Sequence, residues 1–180
     1  MLATVTDIRR GTIKIPQFQR DFVWSVQKSA ALLDSVIKGY PVGTFIFWAT
    51  KDRLRSVRHL GNVEFPLPED GEKVSFVLDG QQRLTSLFAA LNGLTIERNG
   101  GQQDDFSQIY IDLEANDDDQ IVIMDVEDRE EHSFIRLNDL LHGGFAMLAA
   151  FPKHLHEKLE EYRRRIAPWS CRASWRRIRR

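Results

Sequence analysis

The 180-residue sequence predicts an α+β domain, with a small mixed sheet flanked by helices and a helical C-terminal end. Three observations carry that prediction. TFIFWAT at 44–50 and SFVLD at 75–79 are rich in β-branched and aromatic residues and read as strands. The segments 26–38 and 81–92 repeat apolar residues at helical spacing. From about residue 138 onward the pattern is helical, which places residues 1–140 in the main domain and 141–180 in a helical extension.

The elements follow in chain order. TVTDIRRGTIKIP reads as a short helix or turn and then a strand, Thr12 to Ile15, stopped by Pro16. QFQRDFVW continues extended. Ser25 is placed to cap a helix from Val26 to Lys38, whose Val26, Ala30, Leu33 and Ile37 form one apolar stripe. Gly39 suits the left-handed position after that helix, and Pro41 reinforces the stop. The strand at 44–50 follows, so the chain has run strand, helix, strand. SVRHLGN reads as a further short strand and PLPEDGEK as a polar loop. SFVLD then delivers the chain to Gly80, and the helix from about Gln81 to Asn92 ends at Gly93. IYIDL at 109–113 and QIVIMDV at 120–126 read as strands around the acidic turn EANDDD, with FIRL pairing beside them. LNDLLHGGFAMLAAF and PKHLHEKLEEYRRR read as helices starting near Asn138 and Pro152.

Composition sets bounds on function. With 42% hydrophobic residues, four Trp and eleven Phe, the chain can bury a real core. No apolar run reaches the roughly 18 residues of a membrane span, and the N-terminus lacks a signal-peptide apolar region. The expectation is a cytoplasmic protein without membrane contact. Cys171 is the only cysteine, which excludes an internal disulfide and a Cys-based metal cluster. Charge is uneven: residues 1–161 carry 17 Lys+Arg against 26 Asp+Glu, a net of −9, while residues 162–180 carry eight Arg and no acid. That Arg-dense end suits nucleic-acid phosphates. Its lack of Lys and its two Trp equally suit a chain that is truncated or out of frame after about residue 161.

Two stretches carry candidate chemistry. Arg83 falls in the first turn of its helix, where the macrodipole disfavours a cation. Either Asp79, four residues earlier, pairs with it and caps the helix, or a phosphate does the pairing. In the second reading Gly80 admits the ligand to the backbone, Gln81 and Gln82 orient it, and Asp79 holds a metal ion or positions a water. The second stretch is IPQFQRDFVW at 15–24, where Gln19 and Arg20 stand among Phe18, Phe22 and Trp24. These aromatics are core anchors, or they offer a stacking surface while Gln19 and Arg20 meet the same anion as Arg83. No Walker loop is present.

Together, IPQFQRDFVW at 15–24, LLDSVIKGYPVGTFIFW at 32–48 and LDGQQRLTSL at 78–87 resemble the N-terminal domain of GmrSD-type restriction proteins, within the ParB/sulfiredoxin-like superfamily. The resemblance covers about residues 5–140. It implies a domain that binds and hydrolyses a nucleoside triphosphate with Mg²⁺ and regulates cleavage of modified foreign DNA in phage defence. The family's D-G-Q-Q-R motif maps onto Asp79, Gly80, Gln81, Gln82 and Arg83, and its first Q-R onto Gln19 and Arg20. The resemblance thus implies Asp79, Gln82 and Arg83 as catalytic residues and Asp79 as metal ligand. It further implies Gln19, Arg20, Gly80, Gln81, Gln82 and Arg83 as nucleotide-binding residues. Full-length members end in an HNH-type nuclease, whose motif His132, His142, His154 and His156 do not form, so DNA is expected to be reached through a region or partner absent from this sequence. A homodimer is a compatible assembly. The sulfiredoxin branch uses a cysteine in the equivalent loop, and none precedes Cys171. The competing reading is a ParB-like DNA-binding module with nucleotide as an allosteric ligand. The net charge of residues 1–161 weighs against a broad DNA footprint on that part of the chain.

Overall fold

The computed structural model describes residues 5–17, 21–52, 54–67, 71–98, 100–116 and 118–169. In chain order the helices are α1 (Val5–Arg9), α2 (Val26–Ile37), α3 (Gln81–Asn92), α4 (Leu137–His142), α5 (Phe145–Ala150) and α6 (His156–Ile166). The strands are β1 (Ile13–Lys14), β2 (Ile46–Thr50), β3 (His59–Leu60), β4 (Val63–Glu64), β5 (Val74–Asp79), β6 (Thr95–Glu97), β7 (Gln103–Asp105), β8 (Tyr110–Asp112), β9 (Val122–Ile123) and β10 (Phe134–Arg136). The fold is mixed α and β with small sheets, as the sequence pattern predicts.

β5 is the centre of the first sheet, which runs in the order β1-β5-β2. β1 lies parallel to β5, with Ile13 opposite Ser75, and β2 lies antiparallel, with a register shift between Ile46 and Phe47. The second sheet, β10-β8-β9, is antiparallel throughout, and β3-β4 and β6-β7 are two-stranded hairpins.

α2 and α3 form the centre of the core because each turns a full apolar stripe inward. Leu33 and Ile37 of α2 and Leu84, Leu87 and Phe88 of α3 are all essentially inaccessible. Each such side chain contributes roughly 1.5–3 kcal/mol through burial. Small residues bring the two helices close: Ala30, Ala89 and Ala90 are buried, and the Ser86 hydroxyl donates to that of Ser29. The helix ends follow the local chemistry. Ser25 caps α2, its Oγ accepting from the Lys28 amide at 3.3 Å, and Gly39 follows the helix with φ +72°. Asp34 ties α2 to the second sheet, its Oδ1 accepting from the amides of Ile121 (2.7 Å) and Val122 (3.0 Å).

Three expectations shift in detail. QIVIMDV contributes only the two residues of β9 to the ladder. The helix expected over LNDLLHGGFAMLAAF starts at Leu137 rather than Asn138 and is two helices, broken at Gly143–Gly144 where the backbone is extended. Pro152 precedes a 3₁₀ turn, Lys153–Leu155, and α6 begins at His156. α6 continues past residue 161 and buries Leu159, Tyr162 and Ile166, and Arg165 Nη1 donates to the Ile37 carbonyl at the end of α2 (2.8 Å).

Candidate functional site

β5 ends at Asp79, and the chain turns directly into α3 through Gly80, whose φ of +86° is left-handed. A Cβ at Gly80 would stand 2.6 Å from Phe45 Cδ1, so the turn requires glycine both for its backbone angle and for space. Gly80 occupies the N-cap position and has no side chain with which to cap the first turn. Asp79 is not the N-cap residue of α3; its carboxylate meets Arg83 at 3.3 Å, the intrahelical pairing that i,i+4 spacing allows.

Arg83 is held chiefly by backbone. Its Nη1 donates to the Val42 carbonyl (2.5 Å) and its Nη2 to that of Thr44 (2.8 Å), and the guanidinium lies over the Phe45 ring at 5.0 Å. The side chain thereby staples the 42–45 loop onto the start of α3. Gly43 makes this possible: it is left-handed at φ +82°, and a Cβ there would collide with Arg83 Nη1. A cation in the first turn, mildly unfavourable against the helix dipole, is offset by two carbonyls and one carboxylate.

Gln82 faces another way. Its Nε2 donates to the Asp21 carbonyl and its Oε1 accepts from the Val23 amide, both at 2.9 Å. The glutamine therefore reads both polarities of an extended backbone, and it fixes the strap that directly follows Gln19 and Arg20 in the chain. Gln19 and Arg20 themselves lie outside the described residues. Gln81 and Thr85 share a third face of α3, and both are buried. Thr85 Oγ1 is buried without a hydrogen-bond partner. Trp24, Leu78 and the run Asp79–Arg83 line an open cleft of about 410 Å³, with the Asp79 carboxylate 62% exposed at its rim. That volume falls within the usual range for small-molecule sites.

The structure thus brings Asp79, Gly80, Gln81, Gln82 and Arg83 around one cleft and joins them through Gln82 to the segment of the first motif. Among the described residues no group of three or more His, Cys, Asp or Glu could hold a metal ion. His156 Nε2 is hydrogen-bonded with the Phe151 carbonyl (2.8 Å), a local structural role. Sequence reasoning missed Gly43, the carbonyls of Val42 and Thr44, and Arg98. Gly43 had a local signal in the PVG punctuation. Arg98 had none, because the two strap carbonyls it holds lie more than 70 residues away in the chain.

Among the described residues, no helix is long and apolar enough to cross a membrane. No solved structure matches the chain significantly. A curated, uncharacterised protein from Methanocaldococcus jannaschii is 33% identical over 100 residues, a match that covers 51% of this chain and 16% of that protein. The profile of the GmrSD restriction endonuclease N-terminal domain matches residues 2–167 and takes in β1, the strap, the β5–α3 turn and α6. The chain belongs to the family of GmrSD restriction endonuclease N-terminal domains.

Proposed function

We propose that the chain is the nucleoside-triphosphate-binding and hydrolysing regulatory domain of a phage-defence restriction system that acts on modified DNA, with the nuclease on another region or partner. The observation that supports this reading best is the cleft at the start of α3, where an uncapped glycine turn, a cation and an exposed carboxylate stand together. A ParB/sulfiredoxin-like architecture belongs to the same reading, supported by the central β5 that feeds α3 through Gly80.

Magnitudes decide how Arg83 can serve a ligand while it is already partnered. A guanidinium has five N–H donors, and Val42, Thr44 and Asp79 take three of them. The pair with Asp79 is long and exposed, and such i,i+4 pairs are worth only about 0.3–0.5 kcal/mol. A phosphate can displace Asp79 at little cost, while the two carbonyls keep the guanidinium aimed. The α3 amides and Arg83 would then neutralise phosphate charge, and Gln81 would orient the ligand from the cleft wall. Gln82 would keep the strap Asp21–Trp24 against the site, and Gln19 and Arg20, which directly precede it in the chain, belong to the same reading as nucleotide-binding residues.

The released Asp79 carboxylate fits a Mg²⁺ site of the kind that uses one carboxylate together with water and substrate phosphates. Bound there, the ion would supply charge neutralisation for phosphoryl transfer. Titrating ATP, GTP, CTP and UTP with Mg²⁺ into the full chain by calorimetry tests the reading. Binding that disappears in Arg83→Ala and loses its Mg²⁺ dependence in Asp79→Asn is expected, with circular dichroism unchanged. Unaltered affinity in a folded Arg83→Ala would refute it.

A further inference from the structure

The strap Asp21–Trp24 is gripped along both of its edges. In an extended chain successive backbone groups point to opposite sides. Gln82 takes one side through Asp21 and Val23. Arg98 takes the other: its Nη1 donates to the Phe22 carbonyl and its Nη2 to the Trp24 carbonyl (2.6 Å). The guanidinium also lies 4.9 Å over the Phe22 ring. Asp104 locks it from behind, accepting from Nε at 2.8 Å and pairing with Nη2 at 2.8 Å. Both side chains are largely enclosed, Arg98 at 18% and Asp104 at 13% exposure.

We infer that Arg98, set by Asp104 on the β6–β7 hairpin, is a positioning residue for the nucleotide site. It holds the strap in register against Gln82, and with it Trp24, which forms one wall of the cleft. The inference rests on the nucleotide reading above. Lysine cannot replace arginine here, because a single ammonium lacks the planar fork that reaches two carbonyls and a carboxylate at once. A purely electrostatic role would tolerate lysine, and a purely structural role would leave nucleotide affinity alone.

The experiment pairs amide hydrogen exchange with calorimetry on the full chain and uses ATP, GTP, CTP and UTP with Mg²⁺ as probes. Because Arg98→Ala alone leaves Asp104 as an enclosed unpaired charge, the double variant Arg98→Ala/Asp104→Asn is measured beside Arg98→Lys. Both are expected to raise exchange at Val23 by about tenfold or more relative to Leu84 in α3, and to weaken nucleotide binding by about tenfold. Unchanged Val23 exchange overturns the inference, as does rescue by lysine or full nucleotide affinity in the double variant, while leaving the nucleotide reading intact. A wild-type chain that binds none of the four nucleotides overturns the nucleotide reading and this inference with it.

Discussion

Gly43→Ala probes the joint between the 42–45 loop and α3. Two costs arise. Placing alanine at φ +82° costs about 1 kcal/mol in backbone strain. The new methyl also occupies the position of Arg83 Nη1, so the guanidinium must leave the carbonyls of Val42 and Thr44. Hydrogen bonds from a charged donor are worth about 1.5–3 kcal/mol each, and with the side chain 21% exposed the lower figure applies because water replaces part of the loss. The sum is roughly 4 kcal/mol, of which about 3 passes through Arg83. A double-mutant cycle in urea separates the terms. In an Arg83→Ala background the collision has no target, so Gly43→Ala should cost only the backbone term of about 1 kcal/mol. Additivity of the two substitutions within about 0.5 kcal/mol would refute the argument, because it would mean that the glycine is required for its backbone angle alone.

Further outcomes follow from the same structure. Leu87→Ala, at a fully buried position of α3, should cost about 2–5 kcal/mol and lower the melting temperature by roughly 10 °C in a thermal scan. Gln82→Glu replaces the donor to the Asp21 carbonyl with a carboxylate oxygen and should cost about 1–3 kcal/mol in urea unfolding, at least as much as Gln82→Ala. Burial works against ionisation of Asp105, but hydrogen bonds from Ser107 and Gln108 outweigh it and hold its carboxyl below the ordinary carboxylate range. A depressed folded pKa adds stability that is present above 3.8 and lost as pH falls through the folded value, so the advantage of wild type over Asp105→Asn should shrink on acidification. Acid titration of the two proteins at fixed urea measures it.

What the sequence made legible is local. α2 and α3 were readable to within about one residue because cap, stripe and stop signal all sit inside each segment, from Ser25 to Gly39 and from Gly80 to Gly93. The D-G-Q-Q-R turn was readable for the same reason. The direction in which each of its side chains points was not. Arg83 turns to Val42 and Thr44 about forty residues away, and Gln82 to Asp21 and Val23 about sixty away, so tertiary packing chooses among partners that all satisfy the same chemistry. The break at Gly143–Gly144 was misread because the apolar period continues across it, although two adjacent glycines lower helix propensity at that point. Arg98 lies at the extreme: nothing near it distinguishes it from a solvated surface arginine, and its role exists only once the β6–β7 hairpin meets the strap.

The bond from Arg165 to the Ile37 carbonyl joins residues 128 positions apart. At a synthesis rate of roughly 5–20 residues per second, the ribosome needs about 6–26 s to deliver the arginine after the carbonyl has emerged. During that interval the nascent α2 has an open carboxyl end, and the surface that Leu159, Tyr162 and Ile166 will cover stays wet. The cleft at the start of α3, whose lining is complete in sequence by Arg83, is therefore translated long before the helix that closes the core behind it. A growing chain therefore passes through a stage in which the Asp79–Arg83 turn has been made and the surface that α6 covers is still exposed.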